Sequence, residues 1–271
     1  MDSIWNKQFA IQPDKWNRLV LGPLTLWVAR RHDEWRIVAR RDEEKPVDGM
    51  SSEERAPAFF ETDVESPPPE LETRRWIMRS DCSDHLRFMP AMGDRSVVVR
   101  PSEPIVLAPR AKGMFYVSIP LWVGIQVGEK SPREILRQPT VELSNIWLGT
   151  RDAGELSYSL RSHARRNFET FPDLPYRCIC PVRLHNTSEE DLHFERISLR
   201  VSHLAIYEGA QSLWANEVSY SAKGDEALSK IEYGQQPPAS AEQKMTRLRE
   251  ADSPRKTSML MRGLANLRSR M

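Results

Sequence analysis

Cys178 and Cys180 stand two residues apart in YRCICPVRLHN, with His185 following and His193 beyond the next turn. On an extended strand, positions i and i+2 share a face, so both thiols can reach one ion while His185 approaches from the strand end. A structural zinc site, however, usually closes with a full tetrahedral set of ligands, and the chain has no second cysteine pair. Cysteine is also a small apolar residue at home in a core. A metal at Cys178, Cys180 and His185 is therefore not favoured, and no cofactor is implied.

The run Asp81-Cys82-Ser83-Asp84-His85 packs acid, nucleophile and base types into consecutive positions. Neighbours on an extended chain point to opposite faces, so this run alone builds no triad and reads better as a turn or strand cap. No G-x-S-x-G, H-E-x-x-H, P-loop or G-x-G-x-x-G occurs, which removes the commonest hydrolase, zincin and nucleotide-binding routes and leaves no catalytic residue to assign.

Arg161, His163, Arg165 and Arg166 form a basic patch ahead of Phe168, with Trp147 and Tyr158 nearby in sequence. Guanidinium groups beside aromatic rings suit a carboxylate or other anion, so Trp147, Tyr158, Arg161, His163, Arg165 and Arg166 are the expected ligand residues. At the C-terminus, SMLMRGLANLRSRM spaces Leu260, Leu264 and Leu267 at i, i+4 and i+7 with Met261 beside them, while Arg262 and Arg268 lie off that stripe. The spacing predicts a short amphipathic helix that docks on a protein partner, with weak contact to an anionic membrane surface as the lesser alternative.

These groups need a scaffold, and the scaffold reads as β. Short runs rich in Val, Ile, Trp and Tyr recur between Pro, Gly and Asp, beginning with a hairpin over residues 18–40, and no sustained helical period occurs before residue 235. GMFYVSIPLWVGIQVG, residues 113–128, is the most apolar stretch, and Pro120 within it demands an edge or a bulge. The expectation is an all-β, almost wholly antiparallel β-sandwich, one large body or two tandem lobes parting near residues 90–100.

Charge is segregated along the chain. The 271 residues carry a net charge of +1, but residues 42–72 hold eleven acids against Lys45 and Arg55, and residues 235–271 hold eight bases against three acids. The expected organisation is a hairpin region (1–41), a flexible acidic excursion (42–72) that Phe59 and Phe60 pin, a main body (73–234), and a linker with a basic tail (235–271). Near neutrality argues against nucleic-acid binding, the two charged segments make self-association or a protein partner plausible, and three cysteines do not make a disulfide scaffold. With no apolar run long enough to span a bilayer and no leader-like N-terminus, a soluble cytoplasmic protein is expected.

RPSEPIVLAP, IPLWVGIQV, LSNIWLGT followed by GELSYS, and LHNTSEEDLHFERISLRVSHLAIY together resemble the family catalogued as domain of unknown function 432, over roughly residues 95–222. The resemblance implies an all-β fold with no assigned reaction, and leaves the acidic excursion and basic tail outside. Family members are sometimes encoded beside small-conductance mechanosensitive channels, so it also implies an association with such a system. The functional expectation is a non-enzymatic interaction or ligand-sensing accessory protein. The alternative is an enzyme or binder of small molecules or carbohydrates, its site on one face of the sandwich around Trp147, Tyr158, Arg161 and His163.

Overall fold

A computed structural model describes residues 3–45, 58–78, 83–222, 228–239, 244–253 and 259–262. Strand makes up 56% of the described residues and helix 3%, with no helix of seven or more residues among them, so the protein is all-β. Among the described residues no helix is long and apolar enough to cross a membrane.

The chain divides into two compact units, each assembled from separated segments. The first takes Met1–Ala91, Pro120–Glu142 and Pro172–Arg177. Its five-stranded sheet orders Ala58–Val64, Trp16–Leu21, Leu24–Arg30, Glu34–Arg41 and Thr73–Ile77, and its four-stranded sheet orders Gln8–Ala10, His85–Ala91, Trp122–Val127 and Arg133–Pro139. Every pairing in both sheets is antiparallel. Alternation decides which side faces in: Asn17, Leu19 and Leu21 are buried along Trp16–Leu21 while their neighbours are only partly covered.

Phe60 of the larger sheet meets Phe9 and Phe88 of the smaller one, with ring centroids 4.4 and 5.4 Å apart. The two sheets of this unit thus pack face to face as a sandwich. Residues 46–57 of the acidic stretch lie outside the described residues, but Ala58–Val64 is a strand paired with Trp16–Leu21. The first hairpin turns at Gly22, whose φ is +59°. A Cβ there would also sit 2.4 Å from the Tyr176 ring, so both backbone and packing require glycine.

The apolar stretch over residues 113–128 becomes two strands, Lys112–Pro120 and Trp122–Val127. Proline has no N–H for a ladder, so the first strand ends on it, and the next amide, Leu121, donates instead to the Tyr176 carbonyl at 2.9 Å.

The second unit takes Met92–Ile119, Leu143–Phe171 and Cys178–Met271. Here the near-complete antiparallel expectation gives way. Arg177–Asn186 runs parallel to both Leu213–Ala215 and Val218–Ala222, and Gly154–Ser162 runs parallel to Val97–Pro101. Parallel neighbours need long crossover connections, and here the intervening chain makes further strands rather than helices. One core cluster joins Tyr116, Ile179, Ala205, Tyr207 and Trp214, with Phe168 packed edge-on to Trp214 at 5.1 Å.

The C-terminal amphipathic helix is not supported. Met259–Arg262, which includes Leu260, Met261 and Arg262, forms a strand antiparallel to Leu228–Tyr233, from Leu228↔Arg262 to Ile231↔Met259. The edge of an existing sheet offers hydrogen-bond partners to the backbone at once, whereas a short helix must first nucleate at a cost. Leu264, Leu267 and Arg268 lie outside the described residues.

Candidate functional site

A four-stranded sheet of the second unit orders Asn145–Gly149, Gly154–Ser162, Val97–Pro101 and Ile197–Leu199. Val97–Pro101 is parallel to Gly154–Ser162 and antiparallel to Ile197–Leu199. The entry to the first, the start of the second and the exit from the third therefore meet at one end of the sheet. At that end lies a cleft of about 310 Å³, lined by Asp94, Arg95, Glu155, Leu156, Arg200 and Ser202 among others. That volume is at the small end of the range for small-molecule sites.

Local contacts set each cleft side chain. Tyr158 donates its hydroxyl to Asp94 Oδ1 at 2.8 Å, and burial, then the Asp94 contact, pushes its pKa up to about 12. The phenol stays protonated and holds Asp94 in place. Arg95 lies over the Tyr158 ring at 5.5 Å and donates to Asn145 Oδ1 at 2.9 Å, so its guanidinium plane is fixed on the cleft wall. The Arg200 backbone N–H donates to the Tyr233 hydroxyl at 2.8 Å. Burial pushes Tyr233 up to about 12, so this anchor is uncharged. The Arg200 side chain differs: its Nε is buried with no hydrogen-bond partner among the described residues. A guanidinium N–H kept from both water and protein acceptors costs free energy.

Beside the cleft stands an apolar shelf. Trp147 and Leu156 are cross-strand partners, 53% and 44% exposed. The indole Nε1 donates to the Thr150 carbonyl at 3.0 Å, and Gly154 lies so close beneath that a Cβ there would be 2.3 Å from Nε1. The ring is held against its own turn with its polar atom satisfied, which leaves an apolar face toward solvent.

The structure divides the residues the sequence groups together. Trp147 and Tyr158 belong to the cleft end of the sheet. Arg161 is exposed near the opposite end of its strand, in register with Arg100, and His163, Arg165 and Arg166 follow beyond it. Arg165 covers the Phe171 ring at 5.0 Å and donates to the Thr170 carbonyl, while Arg166 covers the Phe115 ring at 5.2 Å. Asp94, Arg95, Glu155, Leu156 and Arg200 escape sequence reasoning because only the parallel register of Gly154–Ser162 and the antiparallel one of Ile197–Leu199 on Val97–Pro101 unite them. The one local signal is a charged or apolar residue beside a strand end, in GDRS, GEL and SLRVS.

Cys178 and Cys180 share one face of Arg177–Asn186, and both are buried with no disulfide among the described residues. His185, an odd number of residues on, points to the other face. Burial pushes the Cys180 thiol well above the ordinary range, with the neighbouring Cys178 adding to the effect. Among the described residues no group of three or more His, Cys, Asp and Glu side chains converges as a metal site would need. At the end of the Asp81–His85 run, Asp84 and Ser83 both reach His85 Nδ1, at 2.8 and 3.3 Å. Both contacts fall on one ring nitrogen, so the ring does not relay between acid and nucleophile. Asp81 and Cys82 lie outside the described residues.

The fold and the cleft together define an all-β protein with a small polar site at a sheet end. The chain belongs to the family described as Protein of unknown function (DUF432), whose family model matches residues 4–267. The match covers nearly the whole chain, taking in the acidic stretch and most of the basic tail, so the narrower bounds of 95–222 were too short. No curated protein and no solved structure matches.

Proposed function

We propose that this protein is a non-enzymatic ligand-sensing accessory protein, and that the cleft at the sheet end takes a small carboxylate ligand. The observation that carries this reading is Arg200, which lines the cleft and whose side chain has no hydrogen bond or ion pair among the described residues. A carboxylate pairs with the Arg200 guanidinium, Arg95 supplies a second guanidinium on the wall, and Leu156 borders the cleft with apolar surface for a substituent. Occupancy passes on through a protein partner or a second copy of the chain, in keeping with an accessory role in the cytoplasm.

The test is calorimetric titration of the full chain with 3-phenylpropanoate, which carries one carboxylate and one ring. The reading predicts saturable binding that R200Q weakens at least tenfold and that R110Q, at an exposed arginine paired with Glu189, leaves unchanged. Heats that do not saturate, or equal loss in both variants, would contradict it.

A further inference from the structure

Glu155 lines the same cleft as Arg200, and neither side chain makes a hydrogen bond or ion pair among the described residues. Opposite charges within one small cleft would ordinarily satisfy each other. Here the acid and the base stand apart, both near Tyr233: its hydroxyl accepts from the Arg200 backbone, and the Glu155 charge raises its pKa. Asp94 is not available for the same task, because it accepts from Tyr158 and lies 3.8 Å from Arg95. Among the described residues the cleft therefore presents one acceptor group and one donor group without partners, and an apolar border at Leu156.

Resting on the carboxylate reading above, we propose that the ligand is a zwitterion, an α-amino acid with a large apolar side chain. Its carboxylate meets Arg200, its ammonium meets Glu155, and its side chain leaves over the sheet end, where Leu156 borders the cleft. Charge-assisted hydrogen bonds at both poles then replace water around the two groups.

Three probes separate the poles: L-phenylalanine, 3-phenylpropanoate, which lacks the ammonium, and phenethylamine, which lacks the carboxylate. Titrated calorimetrically into the full chain, L-phenylalanine is expected to bind at least tenfold tighter than either. E155Q, a change at an exposed position, should erase its advantage over 3-phenylpropanoate, and R200Q its advantage over phenethylamine. R200K, which keeps the charge and loses the fork, should retain part of the latter. If 3-phenylpropanoate binds through Arg200 but L-phenylalanine binds no tighter, or E155Q leaves the advantage intact, the zwitterion is overturned while the carboxylate reading stands. If neither carboxylate binds, both fall.

Discussion

Arg177 Nη1 donates to both carboxylate oxygens of Glu44, at 2.7 and 3.0 Å. Arg177 is 7% exposed, so the pair sits largely out of water and fixes the start of the acidic stretch to the first unit. Breaking such a pair from one side leaves the other charge buried. E44A is expected to cost about 3 kcal/mol in urea unfolding, and the E44A/R177M double variant less than the two single losses together. Strict additivity would show that the pair is not coupled.

Glu34 is 4% exposed and lies between Arg36 and Arg75, at 2.6 and 2.5 Å. Hydrogen bonds from Arg75, then Arg36, hold its carboxyl below the ordinary value of 4.5. As pH falls, the unfolded chain takes up this proton first, so the stabilisation is full above the unfolded value and is lost as pH falls through the lower folded one. Urea midpoints should drop more steeply between about pH 5 and 3 in the native sequence than in E34Q. Because Arg75 belongs to the edge strand Thr73–Ile77, the same loss should raise hydrogen exchange there. Parallel pH slopes would contradict this account.

G154A tests the Trp147 shelf. The added methyl collides with Nε1 and lies 2.8 Å from the Thr150 carbonyl, so the indole must leave its turn. The expected cost is about 1–3 kcal/mol, with the Trp147 indole N–H resonance shifting and losing protection from exchange. An unmoved resonance would show that the ring is not held by this contact.

Cys178 and Cys180 should behave as core residues. In a C82S background the folded protein is expected not to react with an aromatic disulfide reagent at pH 8, and to release two equivalents once unfolded in urea. Reaction of the folded protein would place a thiol within reach of solvent.

The strands were legible because their signals are local. Alternation marks Trp16–Leu21, and the polar gap at His32 and Asp33 marks the turn between Leu24–Arg30 and Glu34–Arg41. Pairing was not legible. Nothing in GELSYSLRS or SVVVRP announces that Tyr158 will lie beside Val97 in parallel register, 61 positions away, or that the antiparallel strand Ile197–Leu199 will bring Arg200 to the same end. Of the residues that composition groups as ligand residues, Trp147 and Tyr158 lie at the cleft end of the sheet without lining the cleft, while the arginines named with them continue along the chain to the far end of the strand. The leucine spacing at the C-terminus fits a helix on periodicity alone, and what overrode it at Met259–Arg262 was an open sheet edge, which no window of sequence contains.

If the cleft takes a carboxylate on Arg200, the Arg200 Nε–H resonance reports its arrival. In a ¹⁵N-edited titration of the full chain with 3-phenylpropanoate, that resonance, assigned by its absence in R200Q, is expected to move downfield and saturate together with Arg95, while Arg110 stays in place. Saturation elsewhere on the protein with an unmoved Arg200 resonance would contradict it.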